Sequence, residues 1–274
     1  MSAPGPRAGR VNVLRLLAAR GMTPDTTLGQ HFLVDENLVD LALREAGVGP
    51  DDVVLEVGAG PGVLTAALAR AARTVHAVEI DRRLEPLLTE TVPPGTDVRL
   101  HWGDAMRIAL EDLAPPPALM VANLPYNVAT PVVVESTWRL PSLRGWCVMV
   151  QREVADRWTA PPGDRLYGVP SVLLALCAAP TFRRNVGRDV FAPPPRVDSA
   201  LVALRRTGPA PDPAVRALVR AAFAQRRKTL LNALSAGGMD RDDVRAACAR
   251  AGVDPGARAE DVTPAQFARM AGDG

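Results

Sequence analysis

The apolar positions of this chain fall into two rhythms: short unbroken runs, which predict buried strands, and stretches with apolar residues every three or four positions, which predict helices. Val53-Val54-Leu55-Glu56-Val57 is a run of the first kind, continuous rather than alternating, as a strand covered on both faces of a parallel sheet requires. It leads directly into Gly58-Ala59-Gly60-Pro61-Gly62 and a helical pattern over 63–72. Further runs predict strands over 75–78, closing on Glu79-Ile80-Asp81, and over 98–101, ending at Gly103-Asp104-Ala105. Two more cover 118–122, ending at Asn123, and 146–150. Helical patterns occupy 10–21 and 36–46, and another starts near Thr130-Pro131. Beyond Val150 come helices over 151–158 and 170–178, strand-like segments near 181–186 and 199–204, and helices from Asp212 onward. Strands alternating with helices at this spacing predict a doubly wound α/β sheet, followed by a small all-helical C-terminal domain. The stretch Arg205-Arg206-Thr207-Gly208-Pro209-Ala210-Pro211 breaks every pattern and predicts the boundary, giving domains 1–206 and 207–274.

Composition narrows the class. The chain has 274 residues, 47% of them hydrophobic, enough for a sizeable core. No apolar run approaches the 18–20 or so residues of a membrane span, so no membrane association is expected. The basic start, Met1 to Arg20, has little Ser and runs straight into patterned sequence, and so reads as mature protein with a cytoplasmic address. Cys147, Cys177 and Cys248 are scattered and odd in number, which predicts neither disulfides nor a metal site. The net charge of +2 hides an asymmetry. Residues 1–182 carry 16 Lys and Arg against 20 Asp and Glu, whereas residues 183–274 carry 16 against 10. A basic end predicts a polyanionic partner, and Arg226-Arg227-Lys228 is its densest run.

The candidate chemistry sits at strand ends. Open α/β sheets bind ligands at the carboxyl edge of their strands. Glycines after the first strand allow a tight turn and close approach of backbone to ligand at a helix N-terminus. The pattern is not a dinucleotide fingerprint, because its third glycine would fall at Val63. Glu79, at the next strand end, suits a ribose diol, and Asp104 offers a carboxylate to an adenine amino group. An adenosyl pocket without a pyrophosphate cradle points to S-adenosyl-L-methionine rather than NAD. Asn123-Leu124-Pro125-Tyr126 then supplies an amide that pairs with adenine, a stiff turn and a ring for stacking. His76, Cys147 and Cys177 lie in apolar runs and read as packed core.

These stretches bring a family into view. Gly29-Gln30-His31-Phe32-Leu33, Glu56 to Gly62, Gly103-Asp104-Ala105, Asn123 to Tyr126 and Gln151-Arg152-Glu153-Val154 together resemble the bacterial small-subunit ribosomal RNA adenine N6-dimethyltransferases. So do Tyr167-Gly168, Phe191 to Ser199, Gln225 to Leu230 and Arg258-Ala259-Glu260. The resemblance implies a Rossmann-like methyltransferase sheet and an enzyme that dimethylates N6 of adenosines, two neighbours in a hairpin near the 3′ end of small-subunit ribosomal RNA. It implies that Gln30, His31, Leu33, Gly58, Gly60, Glu79, Asp104 and Asn123 line the S-adenosyl-L-methionine site. Asn123, Leu124 (through its carbonyl), Pro125 and Tyr126 would hold the target adenine, with Phe191 stacking on it and Arg226, Arg227 and Lys228 binding RNA. His31 departs from the family, whose commonest residue there is Asn. The partner implied is ribosomal RNA in a small-subunit assembly intermediate, met by a monomer. Two alternatives stand beside this reading: a large-subunit enzyme conferring macrolide resistance, and a non-catalytic RNA-binding assembly factor. Gly29, where the resistance enzymes usually have Ser, argues against the first, and the intact Asn123, Pro125 and Tyr126 against the second.

Overall fold

A computed structural model describes residues 10–272; the first nine residues, which begin the basic start discussed above, and the last two lie outside the described residues. The chain divides into two compact units. The first contains the chain through Arg152 together with Pro180–Arg205, and the second contains Glu153–Ala179 together with the chain from Arg206 onward.

In chain order the elements are α1 (Arg10–Ala19), β1 (Phe32–Leu33), α2 (Glu36–Ala46), β2 (Val53–Val57), α3 (Val63–Ala71), β3 (Thr74–Glu79), α4 (Glu85–Thr91), β4 (Val98–Trp102), β5 (Leu119–Asn123), α5 (Ala129–Arg139) and β6 (Gly145–Gln151). Next come α6 (Arg152–Trp158), α7 (Val169–Ala175), β7 (Ala178–Val186), β8 (Phe191–Ala192), β9 (Ser199–Arg206), α8 (Pro213–Phe223), α9 (Leu230–Ala236), α10 (Arg241–Ala251) and α11 (Pro264–Ala271).

The first unit is built on a seven-stranded sheet in the order β4-β3-β2-β5-β6-β9-β7. Strands β4 to β6 pair in parallel, and β9 runs antiparallel to β6. Every residue of β2 and β3 is buried, which is why their sequences read as unbroken runs. Leu38, Val39, Leu41 and Ala42 of α2 and Leu64 and Leu68 of α3 join strand residues Val54, Val75 and Val121 in one apolar cluster. The strand order turns back between β2 and β5, and this switch point opens a crevice at the carboxyl ends of those strands.

The second unit is helical. Asp212, Thr229, Asp240 and Thr263 cap α8 to α11 through their side chains, which fixes where each helix starts. Tyr167 meets Phe223 edge-on with ring centroids 5.9 Å apart, and its hydroxyl donates to Val262 O at 2.9 Å. Segment 153–179 therefore packs with the C-terminal helices, so a boundary drawn at 206 separates residues that the contacts keep together. Ala178, at the end of the expected helix 170–178, instead starts the strand β7.

Candidate active site

The four strand ends singled out in the sequence meet at the crevice. Gly58 and Gly60 follow β2, Glu79 ends β3, Asp104 follows β4, Asn123 ends β5, and all five line one cleft. Its volume is about 870 Å³ with the mouth included, the size of a small-molecule site. Gly29, Gln30, His31, Ile80 and Pro125 complete much of the wall.

The glycines are there for shape. Gly58 has φ +80°, and a Cβ on it would lie 3.2 Å from Pro125 Cδ; Gly60 has φ +57°, and its Cβ would lie 3.0 Å from the Phe32 ring. Any side chain at either point would push the turn away from the cleft. Glu79 holds this turn. Its Oε2 accepts from Gly60 N–H at 2.8 Å, and Oε1 accepts from Ile80 and Asp81 N–H, each at 2.9 Å. Burial raises the Glu79 pKa, and the three N–H donors oppose that shift. Asp104 Oδ1 accepts from Met106 N–H at 2.9 Å, and its side chain is about one third exposed.

At the end of β5, Asn123 Nδ2 donates to His31 O at 2.8 Å. The carbonyl acceptor fixes which way the amide faces, leaving Oδ1 as the outward acceptor. Leu124 N–H donates to Met149 O at 3.1 Å, continuing the β5–β6 pairing by one residue and burying the Leu124 side chain. Tyr126 OH meets Ser199 Oγ at 2.6 Å, and its ring stacks on His31 with centroids 5.6 Å apart and planes 28° apart. Burial raises the Tyr126 pKa, keeping the phenol neutral. His31 Nδ1 donates to Pro193 O at 3.0 Å. The unusual residue is thus accommodated by side-chain contacts on the cleft rim, while its carbonyl serves Asn123.

Several expected residues sit differently. Gln30 lines the cleft, but both ends of its amide are engaged: Nε2 donates to Asp81 Oδ2 at 2.9 Å and Oε1 accepts from Asp25 N–H at 2.7 Å. Leu33 does not reach the cleft; it is 6% exposed and packs in the core. Phe191 is fully buried, paired across β1–β8 with Leu33, so its ring is not on a surface where a base can stack. Arg226 donates to the Arg165 and Tyr167 carbonyls at 2.9 and 3.0 Å, whereas Arg227 and Lys228 are exposed. Outside that set, His101 and His76 face each other, with Nε2 and Nδ1 3.0 Å apart.

Two participants escaped the sequence reading. Ile80 is 51% exposed and lines the cleft, an apolar side chain directly after the strand-end acid. Ser199 is fully buried and orients Tyr126, a partnership across 73 residues with no local signature. Among the described residues no cluster of His, Cys, Asp or Glu can hold a metal, and no helix is long and apolar enough to cross a membrane.

The cleft fits an adenosyl sulfonium. Its wall includes the carboxylates of Glu79 and Asp104 but no Lys or Arg, a donor set suited to a cationic ligand and unsuited to a pyrophosphate. A doubly wound sheet with such a cleft at its switch point is the architecture of a Rossmann-like methyltransferase. The chain belongs to the ribosomal RNA adenine dimethylase family, whose model matches residues 22–272. The enzymes of this family are S-adenosyl-L-methionine-dependent methyltransferases. It is 47% identical to ribosomal RNA small subunit methyltransferase A of Streptomyces avermitilis, over 99% of this chain and 96% of that one. Identity to the protein of that name from Thermobifida fusca is 49%, over 95% and 93%. Among solved structures, the 23S rRNA methyltransferase ErmE superposes with a TM-score of 0.66 at 29% identity, covering 88% of this chain and 98% of that one. A dimethyladenosine transferase from Plasmodium falciparum gives a TM-score of 0.71 at 24% identity, covering 88% and 96%, and shares the fold.

Proposed function

We propose that the protein dimethylates N6 of two adjacent adenosines in a hairpin near the 3′ end of small-subunit ribosomal RNA. It acts in the cytoplasm, as a monomer, on an assembly intermediate of the subunit. The observation that carries this reading is the Asn123 amide, fixed by His31 O at the end of β5 in the same cleft as Glu79 and Asp104.

S-adenosyl-L-methionine supplies an electrophilic methyl group on a sulfonium. The task of the chain is to present the adenine nitrogen, a poor nucleophile because its lone pair is delocalised into the ring. Asn123 Oδ1 and the Leu124 carbonyl accept its two N–H groups, which localises the lone pair as the nitrogen becomes tetrahedral. Tyr126, pinned by Ser199 and backed by His31, offers the ring on which the base rests. Gly58 and Gly60 let the backbone approach the donor, Glu79 and Asp104 accept from its ribose and adenine, and Ile80 gives apolar contact. Positioning and electrostatics carry the step, and no strong base is required, since the proton leaves after transfer.

Mass mapping of methylated adenosines in both ribosomal RNAs after incubation with the protein tests the proposal. Two dimethylated neighbours near the 3′ end of the small-subunit RNA are expected. Modification of the large-subunit RNA instead would mark a resistance-type enzyme, and no modification would mark a non-catalytic factor.

A further inference from the structure

Residues Pro193–Asp198 run past His31, which lines the cleft, and Tyr126, and the segment is anchored at three points. His31 Nδ1 donates to Pro193 O at 3.0 Å, Arg152 N–H donates to Asp198 O at 3.0 Å, and Ser199 bonds Tyr126 at 2.6 Å. Between the anchors, Arg196 and Val197 are exposed, Val197 to 46%. Two guanidiniums converge on the one carboxylate of this segment. Arg152 Nη1 lies 3.5 Å from Asp198 Oδ2, and Arg188 Nε lies 3.7 Å from Asp198 Oδ1. Arg188 also donates to the Arg196 carbonyl at 3.4 Å, and the Arg196 guanidinium enters no ion pair among the described residues.

The ion pairs are not what holds the loop. Both are long, and all three side chains are roughly half exposed, so each is worth little. The three anchors hold the segment without them. What the ion pairs do is keep two guanidiniums aimed at one anion of unit charge with paired oxygens, the shape and charge of a phosphodiester. Arg196, exposed on the same segment, adds a third guanidinium, and the exposed Val197 next to it in the chain offers an apolar surface that suits the face of a sugar. A base embedded in a helix cannot present its amino group to Asn123; the nucleotide must leave the stack, and the strand on either side must be held while it does.

We propose that Arg152, Arg188 and Arg196 grip the RNA backbone beside the target adenosine, with Asp198 holding the first two in place until a phosphodiester displaces it. This rests on the adenosine-methylating reading above. It adds an RNA contact in the first unit, separate from the Arg227-Lys228 surface of the second.

The test measures binding of the full-length protein to a small-subunit assembly intermediate that carries the unmodified 3′-end hairpin, over a salt series. Arg188→Ala with Arg196→Ala is expected to lower affinity about tenfold or more and to flatten the slope of log affinity against log salt by about 1.4–1.8, two phosphates at 0.7–0.9 each. Asp198→Asn, which keeps the backbone anchor, is expected to tighten binding a few-fold with the slope unchanged. Calorimetric affinity for S-adenosyl-L-methionine is expected to be equal in all variants, which separates a lost RNA contact from a damaged cleft. If the wild type binds and methylates the intermediate but the double variant keeps its salt slope, the grip is overturned. Weaker binding by Asp198→Asn would likewise overturn the placeholder role of the carboxylate. A wild type that neither binds nor methylates the intermediate would sink the functional reading itself.

Discussion

Asn123 and Phe191 show how two residues from neighbouring motifs take different work. Asn123 has one end of its amide committed to His31 O and the other turned outward, so Asn123→Ala removes an acceptor without opening the core. At saturating S-adenosyl-L-methionine its single-turnover methylation rate should fall by about 10²–10³, the cost typical of losing one preorganised oxyanion-hole donor, with RNA affinity nearly unchanged. Phe191→Ala instead empties a fully buried site and should cost about 3–5 kcal/mol of stability, read as a lower denaturant midpoint. A full-rate Asn123→Ala enzyme would place the adenine elsewhere. Glu56 is a third case. It is fully buried in β2, and its two oxygens make no well-formed hydrogen bond, the neighbouring Thr65 hydroxyl only partly opposing the effect of burial. Burial, reinforced by the Glu79 charge, pushes its pKa well above the usual carboxylate range. Its folded pKa lies above its unfolded one, so its contribution to stability is complete below about pH 4.5 and is lost as pH rises toward the folded pKa. Glu56→Gln should therefore gain stability relative to wild type as pH climbs above about 4.5; parallel stability curves would contradict this.

At the scale of elements, the strands that build the cleft were legible because burial on both faces writes itself as an unbroken apolar run, and because each run stops at a polar or glycine residue. The Gly-rich turn, Glu79, Asp104 and Asn123 were readable for the same reason. Other elements had no such mark. Helix α4 is seven residues long and follows a single 3₁₀ turn at Arg82–Leu84, too short for a periodic pattern to establish itself. The β1–β8 pair joins Phe32–Leu33 to Phe191–Ala192, a nonlocal pairing of two-residue strands that no window along the chain can show. That pairing is what draws Leu33 and Phe191 inward, and hence why the stacking role assigned to Phe191 by resemblance was invisible as a packing role. The basic run after α8 divides in the same way. Arg226 is tied to the Arg165 and Tyr167 carbonyls and lies 3.8 Å from Glu260, so Arg226→Ala should lower the thermal midpoint. Arg227→Ala with Lys228→Ala should leave that midpoint in place and flatten the salt dependence of RNA binding by up to about 1.8. Equal thermal losses in the two variants would mean that all three residues are structural.

For the whole molecule, the Pro- and Gly-rich break near Arg206 showed where the chain leaves the sheet for the last time, but composition carries no sign that it had already left once. Segment 153–179 belongs with α8 to α11, through the Tyr167–Phe223 contact, the Tyr167 hydroxyl on Val262 O, and the Gly163 N–H to Glu260 O bond at 2.8 Å. A fragment of residues 207–274 lacks these partners and should show little cooperative unfolding by circular dichroism; a sharp thermal transition in that fragment would mean that the four helices suffice. The interrupted path has a further consequence for synthesis on the ribosome. When β6 emerges, the partner for its open edge, β9, has yet to be made, and the whole of 153–179 comes between. The nascent chain thus carries an apolar, unpaired strand edge through a long interval of translation, the kind of surface on which chains associate wrongly. Slow elongation across that interval, or a shortage of chaperone, should be felt by this protein more than by one whose sheet closes in the order its strands are made.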